Sequence, residues 1–474
     1  MPSKRVDLYT FSTKGFSTQG VKTVYHSYKS DEHHKYPYRT NYKYNKDHYE
    51  MPGYVVGEND RLSLEFYKGS KRVYERSIQV SGMTGNINDE DINNLAIPSI
   101  IHSDFCASFG LYYSDSGTMA GLTNAHQFYG TISENQSRWM EKLFNDIGTD
   151  KYKNLKLSDM ILPGSHDSGM YLSQPNHYFA AFANTQKDSI GNQLALGSRI
   201  FDFRPGKLTD GWALRLYADG LPWYLKLLFG MVGIGGAAAL ELIFQKYKNE
   251  VRHIHGIVPG ETYHSTLSQI VNFLDKNPKE IVVINAVSNG IADAIELATK
   301  KELDKIMADV IKQHDSSLKV GDKSSLKKSV EELINTQERL IVIGNNKILG
   351  AGKGIKVKGS YSDKQYQSSN SKNVINAIKD LNKDSWSGKD LIEMSLQLTA
   401  TATKGGMARI GTGNFQATSP LFATKPATDM LTYPWIMNNN IKKDNQGALV
   451  AAYNDFYDPA LTAVVVEALK EKLR

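Results

Sequence analysis

"TLSQIVNFLDKNPKEIVVINAV", residues 266–287, sets two elements back to back. Its first half carries apolar residues at helical spacing, the Asn277-Pro278 pair interrupts it, and a continuous apolar run from Ile281 to Ile284 follows. A strand with no polar face must be covered on both sides, as in a parallel sheet flanked by helices. The same texture recurs outward in both directions: "DMILPG" (159–164), "SRIFDFR" (198–204), "VRHIHG" (251–256), "EIVVINAV" (280–287), "RLIVIG" (339–344), "LIEMSLQL" (391–398) and "GALVAAYNDF" (447–456). Helical patterns such as "VIKQHDSSLKV" (310–320) lie between them. Seven such runs over about 320 residues predict a TIM-like (β/α)8 barrel, with room for distortion because one strand has no apolar run to mark it.

The chain ahead of the barrel reads differently. Residues 1 to about 55 interleave tyrosines with Lys, Arg and His, and "RLSLEFY" (61–67) and "RVYERSIQV" (72–80) alternate around a Gly69-Ser70 turn. Residues 1–135 are therefore expected to form a β-rich, sandwich-like domain whose role the sequence does not name. The His33-His34 pair reads as a solvated loop, because adjacent side chains rarely converge on one ion. "SENQSRWMEKLFNDI" (133–147) has Trp139, Met140, Leu143, Phe144 and Ile147 at helical spacing and opens the second unit, 136–474.

Composition narrows the partners. With 474 residues, 41% hydrophobic, the chain can bury a sizeable core. A formal charge of +6 is too small for a dedicated nucleic-acid binder and mildly favours an anionic surface such as lipid. The single cysteine, Cys106, excludes an intramolecular disulfide framework and any multi-cysteine metal site, and it reads as a buried thiol. No apolar run follows the basic start, so no secretory signal peptide is expected in the sequence as given. A monomer that is secreted or delivered to a membrane surface is the expectation.

In a βα barrel, chemistry sits just beyond the C-terminal ends of the strands. Polar residues cluster there: His166, Asp167 and Ser168 after the first run, Asp202 and Arg204 at the second, His255 at the third, and Asn454, Asp455 and Asp458 at the last. Two histidines of near-neutral pKa can serve as base and acid, each needing a carboxylate on its other nitrogen. A guanidinium between them suits a phosphate and the charge that develops on it. The set describes metal-free phosphodiester cleavage by in-line attack. A serine-hydrolase reading is weaker, since no G-x-S-x-G elbow stands here.

"ILPGSHDSGMY" (161–171) resembles the opening motif of the phosphatidylinositol-specific phospholipase C X-domain family, and "GSRIFDFRPGKLTD" (197–210) resembles its second. "HIHG" (253–256) is similar to the third, residues 266–286 to the helix and strand that follow, and "ALVAAYNDFYDPALTAVVVEAL" (448–469) to the last strand and helix. The resemblance implies His166 as general base held by Asp455, His255 as general acid held by Asp167, and Arg204 on the phosphate with Asp202 behind it. An arginine at the 204 position, where calcium-dependent members have a metal ligand, implies the bacterial type that uses no metal and no cofactor. Attack by the inositol 2-hydroxyl would give diacylglycerol and a cyclic inositol phosphate. Where bacterial members carry a lysine and an arginine near the inositol ring, this chain reads "NAVSNG" (285–290) and "IGNNK" (343–347), which leaves the headgroup open.

Between Arg204 and His255 lies a connection longer than in typical bacterial relatives, an insertion at about 211–250. It contains "LPWYLKLLFGMVGIGGAAALELIF" (221–244), of which 227–240 is free of charge. Those fourteen residues fall short of the roughly 18–20 needed to span a bilayer, so no spanning helix is expected. Two readings stay open. One is a hairpin packed on the barrel wall or against the N-terminal domain. The other is a segment dipping into the membrane, with Trp223, Tyr224 and Phe229 at the interface and Tyr178, Phe179 and Phe182 adding to an apolar lip. The rival function is a lipid-binding or membrane-damaging protein that acts through 221–244, with catalysis secondary or absent.

Overall fold

A computed structural model describes residues 4–26, 29–35, 45–51, 60–80, 87–88, 98–112, 125–171, 183–218, 233–361, 370–398, 420–438 and 440–474. The six aromatic membrane-contact candidates, Trp223, Tyr224, Phe229, Tyr178, Phe179 and Phe182, lie outside the described residues.

Helix Tyr263–Lys276 starts where Thr262 accepts a hydrogen bond from the Ser265 amide at 3.0 Å. It buries Leu267, Ile270, Val271 and Leu274, and the strand Val282–Ala286 that follows is buried throughout. Glu280, at the turn between them, is buried and pairs with the equally buried Arg199, which ties this unit to the start of strand Ile200–Phe203.

The strands assemble into one eight-stranded sheet in which every pairing is parallel. From one edge to the other the order is Val320–Gly321, Leu340–Gly344, Val282–Ala286, Ile200–Phe203, Ile161–Ser165, Leu449–Asn454, Leu391–Ser395 and Val357–Gly359. The first long strand thus pairs with the last, the closing contact of a barrel. The expected (β/α)8-type α/β fold is present, with its distortion at one seam. There, only a four-residue helix, Asn346–Leu349, separates Leu340–Gly344 from Val357–Gly359, and the Ile355 amide reaches the Gly344 carbonyl at 2.9 Å.

Two strand assignments need correction. "VRHIHG" is not a barrel strand: Arg252–His255 lies in a four-stranded sheet with Pro205–Lys207, Val258–Thr262 and Glu296–Leu297, all paired antiparallel. Two strands therefore carry no apolar run: Val357–Gly359, three residues long with a lysine at its centre, and Val320–Gly321, at the end of the 310–320 stretch whose helix stops at Gln313.

Side chains alternate across the barrel wall. Ile200, Val283, Ile341, Ala451 and Tyr453 share a cluster with Trp139, Met140, Leu143 and Phe144 of helix Trp139–Ile147. Phe201, Ile284 and Val342 turn outward onto helices Tyr263–Lys276 and Lys300–Gln313. Gly164 is needed inside, because a Cβ there would meet the Tyr453 ring at 2.6 Å.

The strands up to Glu134 form two five-stranded sheets. One centres on Lys4–Ser12 and Ala125–Glu134, and the other on Phe16–His26 and Asp60–Lys68. They pack face to face: Tyr74 stacks on Phe109 with ring centres 5.9 Å apart, and Gly130 lies against Phe66. Tyr9, Phe11, Cys106 and Tyr129 continue into the apolar cluster of Ile436, Tyr457 and Leu461, so the β-rich part and the barrel share a core. Cys106 is fully buried there, and burial pushes its thiol up to about 11.

Of the apolar insertion, helices Trp212–Ala218 and Gly233–Ile243 are described. Trp212, Leu216 and Leu240 pack with Leu208, Ile254 and Val258 of the antiparallel sheet region, while Leu214 is 52% and Leu242 75% exposed. Among the described residues no helix is long and apolar enough to cross a membrane.

Candidate active site

His166 follows strand Ile161–Ser165, Asp202 lies in and Arg204 just beyond Ile200–Phe203, and Asp455 follows Leu449–Asn454. Because these strands are neighbours in the order 200–203, 161–165, 449–454, their C-terminal ends meet at one place. The chain turns sharply there. Asp167 has a φ of 43° and Phe456 of 46°, left-handed conformations that non-glycine residues seldom adopt. The Asp167 amide donates to Asp202 Oδ2 at 3.1 Å, which helps to hold the first of these turns.

Arg204 is the hub. Its Nε is 2.7 Å from Asp167 Oδ1, and its Nη2 is 3.2 Å from Asp202 Oδ2 and 3.0 Å from His166 Nε2. On the other ring edge, His166 Nδ1 is 2.7 Å from Asp455 Oδ1. A proton on Nδ1 facing Asp455 leaves the Nε2 lone pair toward Arg204, the tautomer of a base.

The third motif contributes two histidines with different surroundings. His253 is fully buried and satisfied on both nitrogens: Nδ1 accepts from the Arg204 amide at 3.3 Å, and Nε2 donates to Asp167 Oδ1 at 3.2 Å. His255 is partly exposed. Its Nδ1 donates to the Ala183 carbonyl at 3.3 Å, and its Nε2 stands 3.8 Å from Asp167 Oδ2. Asp167 thus bonds His253 and faces His255, the ring it is expected to hold, at ion-pair range. The cause is the strand alternation, which turns residues 253 and 255 to one side and brings the nearer one onto the carboxylate. Asp167 Oδ2 nonetheless lies between the two candidate histidines, 3.5 Å from His166 Nε2 and 3.8 Å from His255 Nε2.

Charge separates the two rings. Burial pulls His166 down, but the Asp167 and Asp455 carboxylates outweigh it and lift the ring to about 9. For His255 burial wins, and it lies below the ordinary histidine value despite Asp167. Asp167 is held well below the carboxylate range, because Arg204 and the histidines overcome its burial.

His166, Asp167 and Asp202 offer three atoms near enough to converge on a metal ion. The guanidinium of Arg204 contacts all three residues at 2.7–3.2 Å, so a cation already occupies that position. The residues present do not fit an additional metal at this place.

Glu393 is the site residue that was not singled out in the sequence. Glu393 enters the barrel from Leu391–Ser395 and accepts from Asn285 Nδ2 at 2.8 Å. Burial, then the nearby Asp202 charge, pushes its carboxyl up to about 7. A lone acid inside "LIEMSLQL" was the available signal. Asp458 caps helix Pro459–Leu473 and binds the buried Lys425, which also pairs with Asp429.

Fold and site together define an α/β barrel with His166, Arg204 and Asp455 at its strand ends and His255 facing them across Asp167. No family model matches the chain. In sequence it is similar to a PI-PLC X-box domain-containing protein of Dictyostelium discoideum, 31% identical over 97 residues that span 16% of this chain and 13% of that protein. In structure it is similar to a mutant form of the phosphatidylinositol-specific phospholipase C from Staphylococcus aureus (TM-score 0.44, 16% identity, 70% of this chain and 96% of that one). It is also similar to the phosphatidylinositol-specific phospholipase C from Listeria monocytogenes (TM-score 0.42, 14% identity, 70% and 98%).

Proposed function

We propose that residues 136–474 cleave the glycerol–phosphate bond of a phospholipid, with phosphatidylinositol or a glycosylated form as the substrate class. The observation that carries this reading is Arg204 Nη2 at 3.0 Å from His166 Nε2, with His255 Nε2 across Asp167 Oδ2. In this reading the phosphate binds against Arg204. The inositol 2-hydroxyl gives its proton to His166 Nε2 and bonds to phosphorus. The bond from phosphorus to the glycerol oxygen breaks, and that oxygen takes the proton of His255. Asp455 steadies the charge on His166, and Arg204 steadies the charge on the equatorial phosphate oxygens. The products are diacylglycerol and a cyclic inositol phosphate.

The test is a panel of phospholipid vesicles assayed for diacylglycerol and for water-soluble cyclic phosphate. Release of both from phosphatidylinositol supports the reading. Diacylglycerol without any cyclic product would replace the inositol hydroxyl by water as attacking group.

The exposed Leu214 and Leu242, on the two described helices of the insertion, favour a second reading in which 221–244 meets the lipid surface and disturbs it. Dye leakage from liposomes separates the two: leakage kept by His166→Ala favours membrane damage as the chief activity, and leakage lost favours the enzyme.

A further inference from the structure

One short segment, "ANTQKD" (183–188), touches the pieces of chain that carry His166, Asp167, His255 and Asp455. At its start the Ala183 carbonyl accepts from His255 Nδ1 at 3.3 Å. Next, Thr185 Oγ1 donates to the Asp167 carbonyl at 3.1 Å, and the Thr185 carbonyl accepts from the Phe456 amide at 2.6 Å. Gln186 then bridges the two loops. Its Nε2 donates to the His166 carbonyl at 2.7 Å and the Asn454 carbonyl at 3.1 Å, while its Oε1 accepts from the Tyr457 amide at 2.8 Å. Both sides of the His166–Asp455 pair thus hang on one buried amide.

The far end of the segment is held by the β-rich part. Lys187 Nζ donates to Ser99 Oγ at 2.7 Å and to Asp188 Oδ2 at 2.8 Å. Asp188 in turn accepts from the Ser99 amide and the Ser99 hydroxyl, each at 2.7 Å. Lys187 also lies 6.0 Å above the Phe109 ring. Lys187, Asp188 and Ser99 are all buried, and Ser99 Oγ also lies 3.0 Å from Ser108 Oγ, so the cluster meets its charge and polarity within the protein.

We propose that Ser99 is a positioning residue for the reaction: it clamps Lys187 and Asp188, and through Ala183 and Gln186 this clamp sets the orientation of His255 and the spacing of His166 from Asp455. The β-rich part then completes the active site from behind. The inference rests on His166 and His255 being the acid–base pair proposed above.

The test uses the full chain with nitrogen-15 labelled histidine. For Ser99→Ala, kcat on phosphatidylinositol vesicles should fall about tenfold, the scale of a small misplacement, with KM within about twofold. The His255 titration midpoint, followed by NMR, should move down by about 0.5 pH unit as the Ala183 contact loosens. Ser99→Thr, which keeps the hydroxyl, should restore both. Lys68→Ala, on the exposed Lys68–Asp104 pair of the same part, should change neither. If Ser99→Ala does not fold, Asp188→Asn breaks the same clamp and is read in the same way. A lower melting temperature with unchanged kcat and unchanged histidine titrations overturns the proposal. If the wild type releases no diacylglycerol from any lipid, the functional reading fails, and the titration shift alone still decides whether the clamp positions the rings.

Discussion

Arg204 and His166 face each other across 3.0 Å, Nη2 to Nε2, a contact between two groups that both carry or accept positive charge. Such an approach is tolerable because Asp167, Asp202 and Asp455 surround the pair with negative charge. Chelators should therefore leave phospholipid cleavage unchanged, because the guanidinium supplies the cation. Arg204→Gln should lower kcat by about 10²–10³-fold, the usual loss for one transition-state donor. Diacylglycerol release with and without EDTA measures the first expectation, and full loss in EDTA would contradict the role given to Arg204.

The histidine roles separate with an activated leaving group. With a p-nitrophenyl ester in place of the glycerol, protonation of the leaving oxygen is dispensable. His255→Ala should then keep most of its rate while His166→Ala loses at least about 10²-fold. With natural lipid both variants should be slow. The opposite pattern on the activated ester would exchange the two roles.

The pH dependence follows from the same rings. His166 must be neutral and His255 protonated in the reacting form, while His166 is lifted to about 9 and His255 lies below its ordinary value. The product of the two fractions rises through the lower midpoint, stays level, and falls above about 9, as macroscopic values of the pair. In His255→Ala acting on the activated ester, only deprotonation of His166 remains, so the rate should climb through that upper midpoint instead of falling. A rate that still falls on the alkaline side would remove His166 as the base.

Much of this site was legible because its residues sit at strand ends flanked by recognisable apolar runs. Asp202, Arg204 and Asp455 needed only that rule. The sequence was less informative where packing decides. His253 and His255 differ by one alternation step, and nothing local says which one meets Asp167. Val357–Gly359 has no apolar run because it is a short edge strand beside the seam. The role of "ANTQKD" depends on three loops and the β-rich part arriving together, which no spacing within the chain records.

Lys425 tests the support behind the last strand. It is buried at 2.8 Å from Asp429 and 2.9 Å from Asp458, and Asn454 reaches Asp429 at 2.8 Å. Removing the cation in Lys425→Met takes the counter-charge from two buried carboxylates, at a cost of about 3–5 kcal/mol. Asp429 already sits at about 6, raised by burial, so its folded form takes up a proton more readily than its unfolded form. The penalty of the variant should accordingly be larger at pH 8 than at pH 5, where protonation relieves it. Urea unfolding at both pH values reads this, and a pH-independent penalty would mean that the lysine acts through packing alone.

Gly290 lies against the guanidinium with a φ of +80°, and a Cβ there would come within 2.3 Å of Arg204 Nη1. The arginine cannot simply step aside, because Asp167, Asp202 and His166 hold its other atoms. Gly290→Ala should therefore move the guanidinium off the phosphate position and lower kcat/KM by about tenfold or more. The backbone strain adds a stability loss of about 1 kcal/mol, visible in urea unfolding and separable from the kinetic effect. If the loss runs through Arg204, adding Gly290→Ala to Arg204→Gln should cost little further activity, since the two changes remove the same interaction. Additive losses in that cycle would show that the glycine serves the loop at 288–291 in some other way than by making room for the arginine.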